Sequence, residues 1–252
     1  AGTNHTAGAK RIAAAFANAR DAGRTALIPY VVAGYPDADT SFAVALAAAD
    51  AGADLLEVGL PFSDPLADGA TLQRASQTAL AAGATLERSL RLIERIGAAR
   101  PDLPLVPMAY ANQVLGGGDG EAVAQRLARA GAAGIIVADL TPDEGAPFEA
   151  VARAAGIAVI YLVAPTTPPE RRAAIASRSG GFLYCVSLVG VSFQSFKSGA
   201  SLSTCGCRPK ASAAARRTKG SVSPSFARTS AKRSSDAFFD QSGCSASALT
   251  SF

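Results

Sequence analysis

The sequence predicts an α/β fold of the (β/α)8 TIM-barrel type, incomplete towards its C-terminal end. Three observations predict it. Short apolar runs rich in Val, Ile and Leu alternate with helical patterns through the first 191 of 252 residues, as strands buried on both faces should. No G-x-G-x-x-G follows the first run, which weighs against the competing architecture, an open doubly wound sheet. The alternation then stops after Val191, so six strands can be counted where a closed barrel needs eight.

The strand runs are ALIPYVVAG (26–34), DLLEVG (54–59), LPLVPMAY (103–110), GIIVAD (134–139), IAVIYLVAP (157–165) and GFLYCVS (181–187). Helical patterns fall at 39–52, 71–83, 87–100, 120–131, 144–155 and 168–178, with a leading helix at 9–22. Strand–helix spacing of this kind demands parallel pairing, because the chain must cross back over the sheet between strands. Asp39 and Thr85 read as helix N-caps, Thr85 lying three residues before Arg88.

Residues 192–252 break every one of these patterns. Sixteen of the 61 are Ser, with one Val, two Leu and no Ile. Net charge changes from −3 over 1–191 to +7 over 192–252, and Cys205, Cys207 and Cys244 all fall in the second part. Low hydrophobicity with high net charge reads as a tail without regular structure. The chain is therefore divided into a barrel-like domain at 1–191 and a Ser/Arg-rich tail at 192–252. The two open sheet edges left by six strands imply marginal solubility.

Composition excludes several functions. The single His, His5, leaves no Ser–His–Asp triad and no His-rich metal site. Cys205-Gly-Cys207 with a distant Cys244 is not the paired C-x-x-C of a zinc site, and Cys185 reads as a small buried hydrophobe. The basic tail lacks the aromatic–basic interleaving of a nucleic-acid arm, so no nucleic acid is expected as partner. No apolar run reaches the ~18 residues of a membrane span. The polar start AGTNHTAGAK carries no secretory pattern, and its lack of an initiator Met implies a processed or partial start. A reducing cytoplasm is expected.

The stretch DLLEVGLPFSDPLADGATLQ (54–73) concentrates the chemistry. Side chains alternate along a strand, so Leu56, Val58 and Leu60 point to the outer helices while Leu55, Glu57 and Gly59 point inward. Glu57 then lies near the C-terminal end of its strand, the end at which barrels do chemistry. A buried carboxyl there either pairs with an Arg or Tyr of a neighbouring strand or has a raised pKa suited to a general acid. Asp68 follows in a Pro- and Gly-rich loop, either as an N-cap of the next helix or as a second functional acid.

These residues carry a family resemblance. LEVGLPFSDPLADGATLQ, with IPYVVAGYPD, PMAYANQVL, VADLTPDE and LYCVSLVGV, resembles the alpha chain of tryptophan synthase over about residues 8–192. The resemblance implies a (β/α)8 barrel that cleaves indole-3-glycerol phosphate to indole and glyceraldehyde 3-phosphate, with no metal or organic cofactor of its own. By matched position, Glu57 is the catalytic acid–base and Asp68 the carboxylate that holds the indole N–H. One must be protonated and the other ionised, so their pKa values should be pushed apart. Tyr30, Met108, Ile136, Leu162 and Tyr184 match the indole pocket, although each could equally be barrel core. Asp64, Pro65 and Asn112 match loops that face a pyridoxal-phosphate-bearing beta chain in an α2β2 assembly, although all three are also ordinary turn residues.

The chain departs from the family where the phosphate is held. Ser192 stands at a phosphate-loop Thr, Phe193 at a Gly, and no Gly-Phe-Gly follows. A backbone that approaches a phosphate closely often needs Gly. A chain that docks on a beta chain without turning substrate over is therefore the alternative function. The simultaneous break in composition, charge and periodicity points to a shifted or mis-joined reading frame near codon 192. Translation of the other two frames is expected to recover a Gly-Phe-Gly strand pattern, and its absence from both would remove the idea.

Overall fold

The computed structural model describes residues 6–118 and 120–186 in full, and the backbone of 234–240 and 245–250. Five strands pair in parallel in the order in which the chain makes them: β1 (Tyr30–Val32), β2 (Leu56–Gly59), β3 (Leu105–Ala109), β4 (Gly134–Val137) and β5 (Ala158–Ile160). A doubly wound sheet reverses its strand order part-way across, and this sheet does not, so the winding is that of a barrel wall. The fifth apolar run divides at Tyr161 and resumes as β6 (Leu162–Val163), parallel to β7 (Phe182–Cys185). The N–H groups of Gly180 and Tyr184 donate to the carbonyls of Val159 and Tyr161 at 2.8 and 3.0 Å, which carries the wall across the division.

Eight helices accompany the described strands: α1 (Ala7–Asp21), α2 (Ala38–Asp50), α3 (Ala70–Ala81), α4 (Leu86–Ala99), α5 (Ala111–Leu115), α6 (Gly120–Arg129), α7 (Pro142–Ala154) and α8 (Pro169–Arg178). Thr85 caps α4 as its position predicts, accepting the Arg88 N–H at 3.2 Å. The cap expected at Asp39 belongs instead to Asp37, whose carboxylate accepts the Thr40 N–H at 2.8 Å while Asp39 lies in the first turn. Helix stops are simpler: an Ala followed by a left-handed Gly ends α2 at Gly52 (φ +95°) and α7 at Gly156 (φ +84°), where a side chain would be strained.

The apolar side chains sort into two layers. Ile28, Leu55, Val106, Ile136, Ile160 and Phe182 fill the inside of the wall, and Leu56, Val58, Leu105, Ile135 and Val159 pack outward against α4, α6 and α7. The alternation read along β2 is therefore the observed one. Helix α1 belongs to the inner layer. Its Ile12 and Phe16 are buried, and Phe16 meets Phe182 with ring centroids 5.5 Å apart. The Arg11 guanidinium donates to the carbonyls of Pro101, Leu103 and Gly131 ahead of β3 and β4, so α1 closes the N-terminal end of the wall. No helix among the described residues is long and apolar enough to cross a membrane.

The tail requires a correction. Expected to lack regular structure, it carries two strands, β8 (Ser234–Asp240) and β9 (Ser245–Thr250), with β8 antiparallel to β7 and β9 antiparallel to β8. An antiparallel ladder needs no helical crossover and no apolar burial on both faces, so a Ser-rich segment can pair through its backbone. Of the two open edges expected, the one at β7 is thereby covered, and β1 pairs with β2 alone among the described residues.

The seating of α1 is testable. A Cβ added at Gly8 would lie 1.8 Å from the Ala133 carbonyl oxygen, backbone against backbone. Gly8→Ala is expected to cost about 1–3 kcal/mol, and Ile12→Ala about 2–5 kcal/mol through the cavity it leaves. Urea unfolding of the full chain measures both; wild-type midpoints would show that α1 is not part of the core.

Candidate active site

Glu57 lies on the inner side of β2 and is 1% exposed. Strand register sets it beside Tyr30 of β1 and Val106 of β3. Of the two partners offered by sequence, Arg or Tyr, the adjoining strand presents the Tyr. The next inward position is Gly59, and its missing side chain has a use: an added Cβ would sit 1.8 Å from the Tyr30 hydroxyl. The phenol thus lies across the inner face of β2 in space only glycine leaves open. Burial holds the Tyr30 hydroxyl well above its ordinary pKa, and the charges of Asp68 and Glu57 push it further the same way. Both carboxylates therefore bear on one phenol.

Asp68 reaches this point from the loop joining β2 to α3. It does not cap the helix: Gly69 is the N-cap of α3, and no side chain bonds there. The loop is tied down from within and from β3. The Asp68 N–H donates to the Pro65 carbonyl at 3.0 Å, and Gln73 Nε2 donates to the Asp68 carbonyl at 3.0 Å. Tyr110, at the end of β3, accepts the Ala67 N–H at 3.0 Å through its hydroxyl and hydrogen-bonds the Asp68 carboxylate. The Phe62 ring stacks on Tyr110 at 5.1 Å between centroids.

Burial raises the Asp68 pKa to about 6, against the opposing effect of the Tyr110 hydrogen bond. Burial, with the Asp68 charge behind it, pushes Tyr110 up to about 12. Asp68 is thus ionised at neutral pH but within reach of titration.

The apolar positions singled out from sequence gather inside the same wall. Ile136 and Tyr184 are buried in the inner layer, with Met108 and Leu162 packed partly buried against it. Register pairs Met108 with Gly59 and Ile136, and Leu162 with Tyr184. Asp64 and Asn112 are exposed, Asp64 accepting the Ser63 hydroxyl at 2.5 Å, whereas Pro65 is buried. Leu66, 83% exposed, is the apolar side chain the loop presents outward. Ser192 lies outside the described residues. Tyr110, Phe62 and Gln113 were not singled out as site residues; the available signal was Tyr110's place at the C-terminal end of a strand.

The sign of the Asp68 effect on stability follows from its raised pKa. The folded chain holds this proton more tightly than the unfolded chain. The stability it contributes is full below about pH 4 and is lost as pH rises through about 6. Asp68→Asn should gain on wild type by about 1–2 kcal/mol between pH 4 and pH 7, discounted for partial solvent screening. Urea unfolding across that range checks it, and a pH-independent difference would contradict the placement of Asp68.

Comparison with known proteins agrees with this geometry. The family model described as tryptophan synthase alpha chain matches residues 16–205, running past the compositional break at 191. The chain is 50% identical over 181 residues to the tryptophan synthase alpha chain of Roseiflexus castenholzii, covering 72% of this chain and 69% of that one. It is 44% identical over 185 residues to that of Deinococcus radiodurans, covering 73% and 67%. Among solved structures, Mycobacterium tuberculosis tryptophan synthase superposes with a TM-score of 0.68 at 41% identity, covering 72% of this chain and 70% of that one. Tryptophan synthase subunit alpha of Legionella pneumophila gives 0.67 at 34% identity, covering 70% and 67%. An inward acid on β2, a second acid on the following loop and a sequentially wound parallel wall thus coincide with sequence identity over the same region, and the chain belongs to the tryptophan synthase alpha chain family, with the TIM-barrel fold and the place in tryptophan biosynthesis that go with it.

Proposed function

We propose that the chain is a carbon–carbon lyase that cleaves indole-3-glycerol phosphate to indole and glyceraldehyde 3-phosphate. The supporting observation is the convergence of two carboxyl groups, in unlike surroundings, on the apolar mouth of one barrel wall. Glu57 is sealed within the wall, whereas Asp68 is half-buried under a hydrogen bond from Tyr110. In a retro-aldol cleavage the ring carbon takes the bonding electron pair and gains a proton, while the glycerol hydroxyl at the broken bond loses its proton to become the aldehyde. Glu57 moves protons at the ring carbon and assists bond breaking. Asp68 accepts the indole N–H and is needed as the carboxylate while the ring nitrogen gains positive character. Met108, Ile136, Leu162, Tyr184 and Tyr30 supply the apolar walls for the ring, and the reaction needs no metal or organic cofactor.

The working partner in this reading is a tryptophan synthase beta chain in an α2β2 assembly in the cytoplasm, with pyridoxal phosphate held by that partner. Asp64 and Asn112, exposed next to the site, are the docking positions. A second reading has its own support. β8 runs antiparallel beside β7, where a closed barrel requires a parallel strand and its phosphate-binding loop. A chain so built would bind the beta chain and turn over little substrate.

Indole release by the purified full chain, with and without a beta chain from a relative, separates the readings. The lyase reading expects turnover that falls about 10²–10⁴-fold in Glu57→Gln, and a rate that declines as pH drops through about 6 with protonation of Asp68. Capture of the beta chain without indole release would establish the second reading. Undiminished turnover in Glu57→Gln would overturn the assignment of the acid.

A further inference from the structure

We propose that Gln113 is a positioning residue for Asp68, bracing the acid-bearing loop against the end of β3 from the short helix α5. The proposal rests on the lyase reading for its functional meaning and on geometry for its substance. One side chain makes both ends of the brace. Gln113 Oε1 accepts the Tyr110 N–H at 3.0 Å, and Gln113 Nε2 donates to the Pro61 carbonyl at 3.0 Å. Pro61 opens the loop that ends at Asp68, and Tyr110 is the residue whose hydroxyl meets Ala67 and the Asp68 carboxylate. The loop is thus gripped at its first residues through Gln113 and at its last through Tyr110, and Gln113 also fixes the backbone from which Tyr110 projects.

Two further contacts hold the same junction. Phe62, next to Pro61, lies stacked on the Tyr110 ring. The Ala111 N–H donates to Asp139 Oδ1 at 2.6 Å, anchoring the start of α5 to the loop after β4. An apolar side chain at 113 would leave the Pro61 carbonyl and Tyr110 N–H without these partners and free the ring–loop stack to slide. The hydroxyl–carboxylate contact joins Tyr110 to Asp68, 42 residues apart in sequence, and has no local sequence reason to survive that change.

The readout that packing alone would not move is the titration of Asp68. The ionisable groups bearing on it are Tyr110 from the end of β3 and Tyr30 from β1, with Glu57 of β2 acting on Tyr30 and Asp139 of the β4–α7 loop acting on Tyr110. The Tyr110 hydrogen bond favours the carboxylate, so loosening it raises the Asp68 pKa. In the full chain carrying ¹³C-labelled carboxyl groups, with Asp68→Asn identifying the resonance, wild-type Asp68 should titrate near pH 6. Gln113→Met and Tyr110→Phe should each titrate higher, by about half a unit or more.

Gln113→Ala, which removes both ends of the brace without adding a charge, should shift in the same direction and serves if Gln113→Met does not fold. Wild-type titration in the Gln113 variants overturns the proposal, as does a shift in Tyr110→Phe alone. Indole release measured alongside keeps the two readings apart. An altered titration in a chain that never cleaves substrate upholds the brace and overturns only the lyase reading.

Discussion

The alternation of side chains along β2 is the constraint on which the rest of the site depends. Leu56 and Val58 are buried in the outer layer against the helices, and Leu55 is buried in the inner one. With those three fixed, residue 57 must face inward, although it is a glutamate. A slip of one residue would bury Glu57 among the outer helices and turn Leu56 and Val58 into the barrel. Gly59 follows from the same parity. It stands two residues further along the inner face, and the Tyr30 phenol occupies the volume its side chain would have filled. One strand register thereby sets the acid, its phenolic neighbour and the opening between them.

The chain treats its carboxylates differently according to place. Asp54, at the start of the same apolar run, is held by both Arg24 guanidinium nitrogens at 2.6 and 2.7 Å and by the Leu27 N–H. Glu149, on the buried face of α7, is paired with Arg178 at 2.9 Å. The groups bearing on Asp68 are phenols instead, Tyr110 and Tyr30. An arginine places a full positive charge beside the carboxylate, which favours the ionised form. A phenol donates a hydrogen bond without cancelling the charge, and burial can then raise the pKa to about 6. Asp54 and Glu149 carry arginine partners that belong to the frame of the molecule, and tyrosines meet Asp68 at the candidate site.

Much of this was legible in the sequence, because it rests on local pattern. Six apolar runs became the wall, and the inward position of Glu57 followed from counting by twos along DLLEVG. What was missed depends on contacts remote in sequence. Tyr110 meets Ala67 across 43 residues, and Gln113 meets Pro61 across 52, so no window of periodicity contains either pair. Helix α5, five residues long, is too short to show a helical period. Asp39 precedes the apolar pattern and so looks like a cap in sequence, but the helix begins earlier, under Asp37. The hairpin of β8 and β9 escaped because a strand that pairs through its backbone does not require the Val and Ile by which buried parallel strands are recognised.

In the lyase reading, the position of the site along the chain separates its chemistry from its grip on substrate. Tyr30, Glu57, Asp68 and Tyr110 come from β1, β2, the loop after β2 and the end of β3, three consecutive strands of the wall. Their arrangement is complete within the first 113 residues and is sealed below by α1. The phosphate loops that the family resemblance implies belong after β7 and beyond, where the composition changes and an antiparallel strand lies beside β7. Binding energy from a remote phosphate normally serves to hold the reacting bond in place. A barrel can therefore keep a properly set pair of acids and still turn over slowly, because the acids and the grip are built by different parts of the chain. The acid pair is a local product of β2 and its neighbours, and in the lyase reading its rate depends on segments that do nothing to form it.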